Sequence, residues 1–262
     1  MTTDPAAALA ALERRRRAAA HLFTLAVLAA WTLFAATQPA YVMPGPLDVA
    51  VSLAAFLANP HMLRHMAQSL FHVGAAIAVS FALGAALALL AHYAPLFRLM
   101  VHGRITPFLN SFSGIGWTLL AVLWFGLNAT TVVFAISMVL TPFAIINLRA
   151  GLDTLDPEMI EMTRSFGRRR LRAFRLVVLP SLQPFIFATL RISFGVSWKV
   201  ALTAELFGGN AGFGYLFNLA RQDYDTPLIF VVIVLIVAFV YAVDRFVFSA
   251  IQTRLTRHYE SA

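Results

Sequence analysis

The chain has 262 residues, 60% of them hydrophobic and only 12% Asp, Glu, Lys or Arg, with a mean hydropathy of +0.77. It is too apolar for a domain surrounded by water, which marks an integral membrane protein. The 20 Lys and Arg outnumber the 12 Asp and Glu but lie in short clusters between apolar stretches, so the surplus follows membrane topology and not a nucleic-acid surface. The lack of cysteine excludes disulfides, thiolate metal sites and a cysteine nucleophile.

In chain order, a basic arm over 1–17 carries Arg14 to Arg17 and leads into an apolar run at about 18–37. That run is long enough to cross a bilayer, and no small-residue cleavage site follows it, so it is read as a retained first helix. Further spans of about 20 residues are predicted near 67–91, 105–127, 130–148, 181–206 and 227–251. The reading is an all-α integral membrane protein, with residues 18–262 forming one six-helix domain. An even number of spans puts both termini on one side. Of the 20 basic residues, 15 fall in segments on that side and only Arg64 and Arg221 on the other, so the positive-inside rule makes the termini cytoplasmic.

Between the first two spans, Pro44-Gly45-Pro46 predicts a rigid turn and Leu47 to Ala58 a short helix along the outer membrane surface. His61, His65 and His72 fall near one face of a helix, but the pattern supplies no carboxylate to complete a metal site. Gly74, Gly84 and the many alanines around them form a small-residue face on which another helix can pack closely. The third span is unusually polar, with Asn110, Ser111, Ser113, Trp117 and Thr118 in its first half. Two readings stand for these groups: they line a translocation route, or they hydrogen-bond between helices. Trp124-Phe125-Gly126 marks an outer interface.

The segment at about 151–180 is a basic island. Asp156, Pro157 and Glu158 form a helix start, Met159, Met162 and Phe166 share one face, and Gly167 can end the turn. A second helical run with five arginines follows until Pro180 stops it. Such a stripe suits insertion into a groove on a partner; a basic loop that fixes topology is the other reading. In the fifth span Arg191 and Lys199 are eight residues apart and so lie on a similar face, with Trp198 between them and Glu205 near the outer, wetter end. They form either a cationic stripe beside an anion route or ion pairs, with Asp244 as a partner for either cation. The glycines of 208–214 predict a flexible outer loop that re-enters the membrane or gates it. Lys199 is the chain's one lysine and no GxxxxGK[ST] loop is present, so any ATP used for transport is hydrolysed by another subunit.

Glu161, Gly167 six residues later and Leu179-Pro180 resemble the cytoplasmic EAA loop of binding-protein-dependent ABC importer permeases. Pro44-Gly45-Pro46, Leu123-Trp124-Phe125-Gly126, Leu190-Arg191-Ile192, Ala204-Glu205-Leu206 and Gly212-Phe213-Gly214-Tyr215 are similar to the nitrate/sulfonate/taurine branch of that family. The resemblance implies a type I importer core in the bacterial inner membrane, working as a homodimer. It implies two cytoplasmic ATPase subunits, which hold the ATP and Mg, and a periplasmic solute-binding protein. No cofactor or metal is implied for this chain. Met159, Glu161, Met162, Arg164, Phe166, Gly167 and Pro180 would then couple to the ATPase, while Asn110, Ser113, Trp117, Arg191, Trp198, Lys199 and Glu205 would line the route. The sequence departs from the motif at Met162, Thr163 and the three arginines after Gly167, which points to a fit with its own ATPase. It also has Ser113-Gly114-Ile115-Gly116-Trp117 where the branch carries prolines. An ion-coupled transporter or channel would need no docking helix, and a membrane enzyme would need a nucleophile–base pair that is not visible here.

The asymmetry of basic residues predicts that single cysteines at Ser165 and Asn210 label from opposite faces of intact cells. An impermeant thiol reagent added outside should reach only the second; labelling of both would overturn the orientation.

Overall fold

The computed structural model describes residues 5–39, 41–155 and 174–249, and all its regular elements are helical. A backbone in hydrocarbon must satisfy its own N–H and C=O groups, which helices do within a single segment. The helices are α1 (Pro5–Ala36), α2 (Pro46–Ala58), α3 (Pro60–Tyr93), α4 (Pro95–Ser111), α5 (Gly114–Phe125), α6 (Ala129–Asp153), α7 (Leu179–Gly208), α8 (Phe213–Gln222) and α9 (Thr226–Val243). Among the described residues, five helices are long and apolar enough to cross a membrane, or six if the bent pair α4 and α5 makes one span. The expected docking segment from Asp156 onward, with Met159, Glu161, Met162, Arg164, Phe166 and Gly167, lies outside the described residues.

The chain divides into two compact units. In one, made of Met1–Asn59 and Ala220–Val231, the Trp31 indole N–H donates to the Pro44 carbonyl at 3.1 Å and its ring stacks on Phe230. Pro46 starts α2 in the first turn, where its missing N–H costs nothing, and Asp48 accepts from the Gly45 N–H at 3.0 Å.

In the other unit, Pro60–Leu219 with Val232–Ala262, α6 is the central helix. It packs along α3, α5 and α7, and 56% of its most apolar window is buried, more than in any other described span. Asn128 caps its start by accepting from the Thr131 N–H. The face of α3 toward the interior runs through Ser69, Val73, Ala76, Ser80, Gly84, Ala88 and Ala91, steps of three and four that keep one side of a helix turned inward. The small-residue face is therefore real, but it contains Gly84 and not Gly74. A Cβ on Gly84 would overlap that of Ala144 on α6, whereas one on Gly74 would meet nothing within 4 Å.

Two expectations are corrected here. The third span is not one helix over 105–127: the chain bends by 87° between Ser111 and Gly114. The bend follows from local chemistry, because Phe112 is extended and Ser113 restarts the helix by accepting from the Gly116 N–H at 3.3 Å. Pro180 also does not stop a helix. A π turn at Phe174–Val178 runs directly into α7, with Pro180 in its first turn. The same arrangement occurs at Val101–Ile105 before Pro107. A proline has no N–H to give, and a wider turn just ahead of it absorbs the missing bond without breaking the helix.

The Gly84 contact predicts that Gly84→Val forces α3 from α6 and costs about 1–3 kcal/mol, while Gly74→Val costs little. Thermal unfolding of the detergent-solubilised protein checks this; equal shifts would show that the close approach does not hold the two helices.

Candidate functional site

The strongest polar constellation is built around Glu205, near the end of α7. Its side chain is 1% exposed, so it is buried and not at a wet outer edge as expected from sequence. Its carboxylate accepts from Ser69 Oγ at 2.8 Å and from the Gly214 N–H at 2.9 Å, and its other oxygen lies 2.8 Å from His72 Nδ1. Ser69 in turn accepts from the Phe213 N–H at 2.7 Å, and His65 Nδ1 accepts from the Gly212 N–H at 3.2 Å. His65 stacks on Tyr215. A buried carboxylate without partners is costly, and here three donors converge on it. The loop after α7 is thus not the flexible segment expected: three successive N–H groups of it are tied to α3 and Glu205.

The loop's glycines are demanded by space. Gly212 has φ +108°, a conformation that side-chain-bearing residues rarely adopt, and a Cβ there would overlap the Glu205 carboxylate. The expectation that no carboxylate joins the histidines is also overturned, since Glu205 joins His72. Among the described residues no group of three metal-ligating side chains forms. Ser69, His72 and Glu205 name the members of a hydrolytic triad but are not wired as one. Serine and histidine each face the carboxylate, so the histidine is not placed to take the serine proton.

Farther along α7, Arg191 forms a two-pronged ion pair with Asp244, Nε to Oδ1 at 2.8 Å and Nη2 to Oδ2 at 3.1 Å. Of the two readings for this arginine, the structure shows the pair. Lys199 is exposed and has no ion-pair partner among the described residues. Next to it, Trp198 is buried among Phe194, Phe213 and Phe239, with its indole N–H lacking an acceptor among the described residues. The start of α5 reaches the same stretch: a Cβ on Gly114 would sit 3.3 Å from Val200.

A family model described as "Binding-protein-dependent transport system inner membrane component" matches residues 5–261. The chain belongs to that family. It is therefore a multi-pass inner-membrane permease component of an ABC transport system. A probable ABC transporter permease protein of Brucella abortus (strain 2308) is 29% identical over 92% of this chain and 96% of its own. The taurine transport system permease protein TauC of Escherichia coli (strain K12) is 26% identical over 89% and 87%. The putative aliphatic sulfonates transport permease protein SsuC of the same organism is 34% identical over 44% of each chain. Among solved structures, an amino acid ABC transporter with histidines matches with a TM-score of 0.58 at 19% identity, covering 79% of this chain and 97% of that one, which shows the permease fold.

In this permease the residues expected to line a route divide by environment. Asn110 and Ser113 are exposed, at and beside the bend, while Trp117 is buried with its N–H donated to the Leu109 carbonyl at 3.3 Å. Ser111 and Thr118 bond to carbonyls four residues earlier in their own helices. Ser113 and Trp117 thus serve the bend, a use that neither sequence reading covered. Sequence reasoning missed Ser69 and His65 as partners of the 208–214 loop. The signal available was the run of polar residues at 65, 69 and 72 at helical spacing.

The Glu205 geometry predicts that Glu205→Ala strands three buried donors at about 1–3 kcal/mol each and sharply lowers the unfolding temperature of the purified permease. Glu205→Gln keeps an acceptor for Ser69 and Gly214 and asks only that His72 change tautomer, so its loss should be much smaller. Equal losses would show that hydrogen bonding to the carboxylate is not what holds the loop.

Proposed function

We propose that this permease translocates a small organic anion of the sulfonate or taurine kind, as one of two identical copies served by two cytoplasmic ATPase subunits and a periplasmic binding protein. The family carries the transport role and its ATP-driven, binding-protein-dependent character. The substrate class is supported by the roles that two relatives' names carry, aliphatic sulfonate and taurine transport. The observation that carries it to this chain is Lys199. An exposed ammonium without an ion-pair partner among the described residues, on a helix of membrane-crossing length, is expensive in hydrocarbon, so it is at ease only where water or an anion reaches it. It follows Trp198 and precedes Val200, the residue against which the first turn of α5 packs. An anion passing the bend would meet this charge, and a cation would be repelled.

Coupling is assigned to the Met159, Glu161, Met162, Arg164, Phe166 and Gly167 segment, together with Pro180. Closure of the ATPase dimer would draw the two copies of this segment together and rock the spans as rigid bodies between outward and inward openings. Arg191 takes a different part from Lys199. Its charge is matched by Asp244, so it fastens α7 to the end of α9.

ATP-dependent uptake of labelled taurine and short alkanesulfonates into proteoliposomes holding the whole complex tests the reading. Lys199→Gln should lower uptake roughly tenfold, the effect of about 1.4 kcal/mol, while the complex assembles normally. Asp244→Asn should instead loosen the two-pronged tie between α7 and the last helix and lower the complex's unfolding temperature more than its uptake rate. Undiminished sulfonate uptake in Lys199→Gln would remove the lysine from the route, and no sulfonate uptake by the intact complex would remove the substrate class.

A further inference from the structure

A second polar site lies away from Glu205, at the corner where α3 turns into α4 and meets the end of α6. A cavity of about 180 Å³ opens there, lined by His92 at the end of α3, Arg98 and His102 on α4, and Arg149 and Asp153 on α6. Arg98 and His102 are four residues apart and so project from one face of their helix. Arg149 gives one donor, Nε, to Asp153 Oδ2 at 3.3 Å, which leaves its two terminal nitrogens available. Two arginines against one aspartate leave a formal surplus of one positive charge with both histidines neutral, and more with either protonated.

Basic groups repel, and three separate stretches of chain bring four of them to one hollow with a single carboxylate. Topology alone asks only that arginines stay on one side of the membrane; it does not ask Arg98 and Arg149, 51 residues apart, to face the same cavity. About 180 Å³ is room for a tetrahedral oxyanion with some water. The outer surface of the same corner is greasy: Leu96 is 86% exposed and Leu99 75%, with Tyr93 and Met100 also exposed. A ligand that suits both surfaces carries a phosphate at one end and hydrocarbon at the other.

We propose that this cavity binds the phosphate headgroup of an anionic phospholipid, whose acyl chains lie along Leu96 and Leu99. Arg98 and the free nitrogens of Arg149 hold the phosphate oxygens, and His92 and His102 donate to those that remain. Occupancy ties the α3–α4 corner to the end of α6 and neutralises the clustered charge. The site is separate from the proposed substrate route and stands whether or not the transported solute is a sulfonate.

Native mass spectrometry of the full-length permease, exchanged into detergent with phosphatidylglycerol or phosphatidylcholine, reads the site directly. Wild type should retain phosphatidylglycerol in preference to phosphatidylcholine, and 10 mM inorganic phosphate should not displace it. Arg98→Gln and Arg149→Gln should each weaken retention about fivefold, the worth of one basic group at an anionic surface. Arg104→Gln removes an exposed charge from the same helix that does not line the cavity, and it should leave retention unchanged. An equal fall in Arg104→Gln would reduce the effect to general surface charge and overturn the site. Displacement by inorganic phosphate, or no preference between the lipids, would overturn the lipid assignment. Should Arg149→Gln not survive purification because Asp153 loses its partner, Arg98→Gln alone decides, since Arg98 has no ion-pair partner among the described residues.

Discussion

The constraint on which the larger unit depends is the burial of one carboxylate. Glu205 sits where water does not reach, and an ionised carboxyl in that position is tolerated only if hydrogen-bond donors replace its hydration. They come from two places: Ser69 and His72 one turn apart on α3, and the backbone of the loop that follows α7. Satisfying one residue therefore fixes the position of a helix and the path of a loop together. The glycines follow from the same constraint, because a loop that folds back onto a carboxylate has no room for side chains at 212 and 214.

A second constraint acts on the backbone. Two prolines, Pro107 and Pro180, lie in helical stretches that continue through them, and a π turn sits just ahead of each. Where the chain does break, between Ser111 and Gly114, side chains restore what the backbone loses: Ser113 caps the new helix and Trp117 donates back across the bend. An aromatic cluster of Phe108, Phe112, Trp117 and Phe134 then packs the corner. Two of the polar residues that made the third span look like a route, Ser113 and Trp117, are the means of turning it.

Much of this was legible in sequence, and what was not has a common cause. The helices of membrane-crossing length follow from apolar length alone, which is a local property, and Pro44-Gly45-Pro46 announced the start of the short helix that follows it. Glu205 was recognisable as an ionisable residue in an apolar span, but its partners lie 133 and 136 residues away. No spacing rule links them, so position near a helix end argued for water when the structure has hydrogen bonds. Asp244 could be named as a partner of either cation, yet the choice of Arg191 depends on how the last helix lies along α7. The bend of 87° escaped because a 20-residue window averages over a two-residue break, so the extended Phe112 and the cap at Ser113 do not interrupt it.

The ionisable residues of the two C-terminal long helices therefore sort by what each is given to meet. Glu205 meets three donors and is closed off; Arg191 and Asp244 meet each other with planar, two-pronged geometry while keeping some exposure. Guanidinium suits that second task, since its fork matches a carboxylate and its charge never titrates away. A lysine does not: its ammonium is a compact, strongly hydrated point charge, favoured where contact must form and dissolve repeatedly. That the chain's only lysine is the cation on α7 left without an ion-pair partner among the described residues fits a residue that must release what it attracts. Tight pairing builds the scaffold, whereas a transported anion must be held weakly enough to leave.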